Sequence, residues 1–186
     1  MMDIRWLLGF IEGEGCFCIV IKKSGKTGNS KQVVADFTIK LTESEREVLE
    51  KIREYLGGIG HIYFQSSKSS RKKGLTNARD CVAFKVTKLQ EAKKIVDLLN
   101  DMDFVSNSKK AEFLAWKKCI NLMERKEHLT KEGLFKIALL RETIDKRKQW
   151  NKKSYCEFRN EIEECSEYRK HKIIPENCNI CKEGLK

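Results

Sequence analysis

The apolar positions in the first quarter of the chain change period twice. Ile4, Leu7, Leu8 and Ile11 recur at helical spacing, which gives a helix one stripe to bury. The segment CFCIVIKK that follows is continuously apolar and rich in β-branched residues, the composition of a strand. A polar, glycine-containing turn, SGKTGNSK, leads to QVVADFTIKL, in which Val33, Ala35, Phe37 and Ile39 alternate with Val34, Asp36, Thr38 and Lys40. That alternation predicts a hairpin with one face on a core and the other in solvent. Thr42 and Glu45 have capping-box spacing; Val48, Leu49, Ile52 and Leu56 form the stripe of a second helix, and Gly57-Gly58 ends it.

The pattern then repeats. GHIYFQSS and CVAFKVT read as strands joined by a basic loop, KSSRKKGLTN, and Thr87 and Gln90 open a helix with Ala92, Ile95, Val96 and Leu99 on one face. A helix over residues 108–123 turns Phe113, Trp116, Ile120 and Met123 inward, and another starts near Thr130. The order predicts an α+β chain, α-β-β-α-β-β-α, with a four-stranded antiparallel sheet and helices on one of its faces. From residue 146 the sequence is charged and lacks a long apolar face, which divides the chain into a domain over 1–145 and an appendage over 146–186.

Charge narrows the partner. Against 38 Lys+Arg stand 27 Asp+Glu, a formal net charge of +11, which points to a polyanion. Nucleic acid is favoured over a membrane surface, because no lipidation signal and no bilayer-length apolar run is present. The segment MMDIRWLLGF lacks the features of a secretory signal. The expected location is therefore intracellular, in the cytoplasm or an organelle matrix, where thiols stay reduced. Cys16, Cys18, Cys81 and Cys119 lie in apolar contexts and are expected to be small buried or half-buried hydrophobes. Cys156, Cys165, Cys178 and Cys181 lie in the appendage. Together they could hold a structural Zn²⁺; free thiols or disulfides are the alternatives.

The glycines of WLLGFIEGEG need a reason, since each costs a helix about 1 kcal/mol relative to alanine. Gly9 and Gly13 share a helix face and allow a second helix to approach closely. Two such helices side by side would bring the acids after Gly13 together, where they repel unless a cation lies between them. Hard oxygen ligands suit Mg²⁺, and such a site beside a basic sheet is chemistry for cleaving a phosphodiester. A solvated helix end carrying Glu12 and Glu14 has the same spacing.

LLGFIEGEG, Leu7 to Gly15, resembles the signature of the LAGLIDADG homing endonucleases, with Gly9, Ile11, both acids and Gly15 in register. FTIKLTESEREVLEKIREYLGG, KKAEFLAWKKCINLM and KEHLTKEGLFKI are similar to later blocks of the family, so the resemblance covers residues 4–145. It implies the homing endonuclease fold and an intron-encoded, divalent-metal-dependent enzyme, using Mg²⁺ or another such cation. That enzyme would make double-strand cuts in a long, pseudo-palindromic DNA site. A single copy of the motif implies a homodimer.

Residue by residue, the resemblance implies that Glu14 binds the metal, with the Gly15 backbone beside it, and that Glu12 makes structural contacts at the helix ends. Leu8, Gly9, Glu12 and Gly13 would form the dimer interface. Glu43 stands where the family commonly has a glutamine near the scissile phosphate, and as a first-turn acid it also has an ordinary stabilising role. A lysine near the reacting water is matched by Lys109 or Lys110, Lys109 being favoured. The solvated sheet face would enter the major groove. It presents Val20, Lys22 and Ser24, then Asp36, Thr38 and Lys40, then His61, Tyr63 and Gln65, while Lys26, Lys31, Lys68, Arg71, Lys72 and Lys73 would reach phosphates or flanking bases. The competing reading is a non-catalytic binder on the same scaffold, either a maturase acting on intron RNA or a DNA-binding regulator. A zinc-dependent adaptor centred on the appendage is a third.

Overall fold

The computed structural model describes residues 2–24 and 30–144. Lys26, the appendage over 146–186 and its four cysteines lie outside the described residues, as does the side chain of Ser24.

Helix α1 (Ile4–Glu14) starts at Asp3, whose Oδ1 accepts the Trp6 N–H at 2.8 Å, an N-cap that satisfies one orphan donor. It runs into β1 (Gly15–Ser24) with no residue between. Only glycine permits this junction: a Cβ on Gly15 would lie 2.6 Å from the Ile11 carbonyl oxygen, the atom that accepts the Gly15 N–H. Strand β2 (Ser30–Thr42) leads through a 3-10 turn at Glu43–Glu45 into α2 (Arg46–Tyr55). The expected Thr42 capping box does not form. The 3-10 turn delays the helix to Arg46, and the Thr42 hydroxyl bonds Ser44 Oγ at 2.9 Å instead. Gly57 and Gly58 end α2 at φ +71 and +78, as their spacing predicts.

Strand β3 (His61–Gln65) is followed by a short helix, α3 (Lys68–Lys72), inside the segment read as a loop. The Ser67 N–H before it donates to Asp80 Oδ1 at 2.7 Å, which holds the Asp80 carboxyl below its ordinary range. Strand β4 (Cys81–Val86) precedes α4 (Leu89–Leu99), which Lys88 rather than Thr87 caps, without a side-chain bond. Helix α5 (Asn107–Glu124) and α6 (Lys131–Ile144) complete the described chain. Thr130 caps α6, its hydroxyl accepting the Gly133 N–H at 3.0 Å.

The strands form a four-stranded antiparallel sheet in the order β1-β2-β4-β3. Thr38 faces Lys85 and Lys40 faces Ala83 across β2 and β4; His61 faces Lys85 and Tyr63 faces Ala83 across β3 and β4. The chain divides into two compact units. The first holds the described residues up to Cys18 together with Val34–Lys110. Its core includes Leu7, Ile11, Phe17, Phe37, Ile39, Leu49, Ile52, Phe84, Ile95 and Leu99, each stabilising by roughly 1.5–3 kcal/mol through burial. Phe37 lies tilted on Phe17 at 5.2 Å and edge-on to Phe84 at 6.3 Å, favourable aromatic geometries. The second unit holds the described residues of Ile19–Val33 and those from Ala111 onward. Ile19, Trp116, Cys119, Ile120 and Ile137 are buried in it. Cys18 and Cys81 are half-buried and Cys119 is buried as expected, but Cys16 is exposed. Among the described residues, no helix is long and apolar enough to cross a membrane.

Candidate active site and nucleic-acid face

The C-terminal end of α1 concentrates negative charge. Glu12 and Glu14 sit in its last turn, which has no basic residue, at the pole where the helix dipole already favours cations. Glu14 is exposed, and among the described residues its carboxylate has no hydrogen-bond or ion-pair partner. Along the same helix Gly9 and Gly13 are exposed, and a methyl added at either would meet nothing within 4 Å. Trp6, 43% exposed, stacks on Phe10 at 5.0 Å, so the open stripe runs Trp6, Gly9, Phe10, Gly13. Leu8 does not belong to it. It is 7% exposed and buried within the chain itself, because it falls on the stripe that α1 shares with Leu7 and Ile11.

Two bonds fix this end of α1 to the start of α5. Glu12 Oε1 accepts the Ser106 N–H at 2.7 Å, so Glu12 is committed to a structural contact. Lys109 Nζ donates to the Gly15 carbonyl at 2.7 Å, bringing a cation to the negative pole of α1. Lys110, the neighbouring candidate, is exposed. Glu14 thus offers a hard, unengaged oxygen donor of the kind a divalent cation takes. Among the described residues no group of three or more His, Cys, Asp or Glu could hold a metal, so a single copy brings one open carboxylate to such an ion.

Glu43 follows β2 directly. Its Oε1 accepts from Arg46 Nε at 2.6 Å, while its Oε2 is buried without a hydrogen-bond partner among the described residues. Its side chain therefore pairs the 3-10 turn with the first residue of α2.

The alternation of burial separates the two sides of the sheet. In the first unit Val82, Phe84 and Val86 of β4 turn inward with Ala35, Phe37 and Ile39 of β2. The opposite side carries Thr38, Lys40, His61, Tyr63 and Gln65 as expected, all exposed or half-buried. Asp36 shares that side but is only 9% exposed, with Lys85 Nζ at 2.8 Å from Oδ2 and Thr38 Oγ1 at 3.0 Å from Oδ1. Lys85 was not singled out from the sequence, although its parity with Cys81 and Ala83 in CVAFKVT carries the signal. Ser106 was missed too, since α5 begins at Asn107, one residue before the expected Ser108. Lys68, Arg71, Lys72 and Lys73 are exposed, Arg71 donating through Nε to the Ala78 carbonyl at 2.9 Å. In the second unit Val20 and Lys22 are exposed and Lys31 is half-buried.

Known proteins resemble this chain in sequence and fold. The family described as LAGLIDADG endonuclease matches residues 7–120. The probable intron-encoded endonuclease 3 of Neurospora crassa is 30% identical over 139 residues, covering 74% of this chain but only 24% of that protein. The chain therefore spans about a quarter of the relative's length. The crystal structure of the I-SmaMI LAGLIDADG homing endonuclease bound to cleaved DNA gives a TM-score of 0.66 at 28% identity, covering 78% of this chain and 45% of that one. The homing endonuclease I-TnaI gives 0.64 at 28% identity, covering 77% of this chain and 88% of the other. The matched residues include α1 from Leu7 onward, all four strands, Ser106 and Lys109, and this chain belongs to the LAGLIDADG endonuclease family.

Proposed function

We propose that the chain is a site-specific homing endonuclease that acts as a homodimer, with residues 1–145 as the cutting domain, and makes double-strand cuts in a long, pseudo-palindromic DNA site. The observation that carries this reading is the exposed Glu14, without a partner among the described residues, at the end of an open glycine stripe. Pairing two copies through Gly9 and Gly13 would bring two such carboxylates together, and their repulsion favours a shared cation. A divalent cation held there, Mg²⁺ being the best fit, would polarise the scissile phosphate and lower the pKa of an attacking water. The chain's own residues prepare that place. Gly15 lets the helix pass directly into β1, Glu12 locks the end to Ser106, and Lys109 keeps its ammonium on the Gly15 carbonyl. That the chain covers 45% of I-SmaMI but 88% of I-TnaI supports two copies supplying what one longer chain carries.

The outward sheet residues and the bases of α3 supply the DNA surface, phosphate contacts positioning the duplex while strand residues specify sequence. One observation favours the alternative, a maturase acting on intron RNA or a DNA-binding regulator: Glu43 is tied to Arg46 and offers no free amide where the family commonly has one. The appendage and its possible zinc lie outside this reading.

The deciding experiment is cleavage of a plasmid library of intron-flanking and randomised sites, with Mg²⁺ and with chelator, by the wild type and by Glu14→Gln. Double-strand cuts that need the metal and vanish in the variant are expected. Tight binding without cutting under every divalent metal tried would establish the alternative instead.

A further inference from the structure

Among the described outward positions of β2, β3 and β4, Asp36 is the one acid, and it is nearly covered at 9% exposure. Oδ2 accepts from Lys85 Nζ at 2.8 Å and Oδ1 accepts from Thr38 Oγ1 at 3.0 Å. Thr38 and Lys85 face each other across the β2–β4 ladder, so the two side chains that Asp36 holds are neighbours on the surface.

These bonds decide what each neighbour can still offer. A threonine hydroxyl has one hydrogen, and here it is committed to Asp36, which leaves only lone pairs on Oγ1. Thr38 is thereby presented as an acceptor. A lysine ammonium has three hydrogens; one goes to Asp36 and the others remain, so Lys85 is presented as a donor. Without the carboxylate, the Thr38 hydroxyl would turn freely and could serve as either.

In the major groove a G·C pair shows two acceptors on guanine, N7 and O6, followed by the N4 amino donor of cytosine. An A·T pair places its donor between two acceptors. The two hydrogens left on Lys85 followed by the Thr38 acceptor match the G·C order, whereas on an A·T pair the second lysine hydrogen would face the N6 amino donor. We propose that Lys85 and Thr38 together read one G·C pair in each half of the DNA site, and that Asp36 is a positioning residue that sets both without touching DNA. Lys85 gives its hydrogens to guanine and Thr38 takes one from cytosine. Because Asp36 lies beneath its partners and is matched by the Lys85 charge, it does not set a carboxylate against the phosphates. The inference rests on the reading of this face as a DNA surface.

The test selects bound sequences from randomised duplexes with the full chain, in chelator so that nothing is cut, for the wild type, Asp36→Asn, Thr38→Val and Lys85→Met. The wild type is expected to enrich a motif with a G·C pair at a position that all three variants relax by about tenfold, the size of one lost base contact, while the other positions hold. Asp36→Asn should bind unselected duplex at least as well as the wild type, since it removes a negative charge. If it does not fold, as judged by its thermal melt, the other two variants still decide. Variants that bind and enrich the wild-type motif unchanged at every position would overturn the proposal. A wild type that enriches no motif at all would overturn the DNA reading of the face, and the proposal with it.

Discussion

The Ser106 N–H and the Glu12 carboxylate meet at 2.7 Å across 94 positions of sequence. Ser106 is the N-cap of α5: its Oγ lies 3.3 Å from the Lys109 N–H and its carbonyl accepts the Lys110 N–H at 2.9 Å. In a capping box the acid three residues on returns to the N-cap N–H. Here that position is Lys109, and Glu12 supplies the carboxylate from α1. The substitution frees Lys109 to reach Gly15. Glu12→Ala should therefore destabilise the fold by about 1–2 kcal/mol, while Glu12→Gln, which keeps an acceptor, should lose less. Urea denaturation of the two variants checks this; equal midpoints for Glu12→Ala and wild type would remove the tether from the account.

Gly9 inside α1 and Gly15 at its C-cap should respond in opposite ways. A methyl on Gly15 would lie 2.6 Å from the Ile11 carbonyl oxygen, and since backbone must move, Gly15→Ala is expected to cost about 1–3 kcal/mol. A methyl on Gly9 meets nothing within 4 Å inside the chain, so Gly9→Ala should raise the stability of the single copy by up to about 1 kcal/mol through helix propensity. The same methyl would hold a second α1 away. Sedimentation should then show weaker self-association for Gly9→Ala despite its higher melting temperature; association at wild-type strength would exclude Gly9 from the pairing face.

Much of this was legible from periodicity. Phe37 and Ile39 against Thr38 and Lys40 gave β2 its two sides because alternation survives any error in strand ends. What was missed depended on partners far away in sequence. Leu8 reads both as part of the stripe with Leu7 and Ile11 and as a member of the pairing face with Gly9, and only packing shows that the chain itself covers it. Asp36 reads as a solvent-facing acid until Lys85 is placed opposite Thr38, a register that no local pattern contains. Thr42 has the spacing of a cap, yet a 3-10 turn took its place, since two helical periods compete over the same few residues. Cys16 was expected to be covered because its neighbours are apolar, but as the first outward position of β1 it is exposed.

Lys109 touches the Gly15 carbonyl beside Glu14, so its removal should act on chemistry more than on binding. Lys109→Met is expected to lower the cleavage rate about 100-fold while DNA affinity in chelator stays within a few-fold. Lys110→Met, at the exposed neighbouring position, serves as the comparison. Parallel losses of binding and cleavage in Lys109→Met would make it a phosphate contact instead.

The thiols should separate by reactivity, because the thiolate is the nucleophile. Burial pushes the Cys119 thiol up to about 12, so it should stay unmodified by an alkylating reagent at neutral pH until the protein unfolds. Cys16 is exposed and should react in the native state. Peptide mapping by mass spectrometry distinguishes them, and native labelling of Cys119 would mean that the second unit opens readily. If the Cys16 face lies on DNA, bound duplex should also slow its labelling.

Burial raises the Glu142 carboxyl from 4.5 to about 7, the Arg141 charge offsetting it only in part. With a folded value above the unfolded one, the native state holds more protons between those limits, so stability falls as pH rises. For this group stability is therefore fully present below about 4.5, declines through the interval and is level above about 7. Asp80 and Glu47 are shifted down, by the Ser67 N–H and by Lys51 respectively, and act in the opposite sense, losing stability as pH falls. A raw melting curve against pH would mix the two. The difference between Glu142→Gln and wild type isolates the one group, because the lowered carboxylates are common to both. The variant should melt close to wild type near pH 4.5 and increasingly above it up to pH 7, after which the gap should stay constant. A gap that does not change with pH would show that Glu142 titrates alike in the folded and unfolded chain, and that its half-buried place in α6 is solvated well enough to keep the charge.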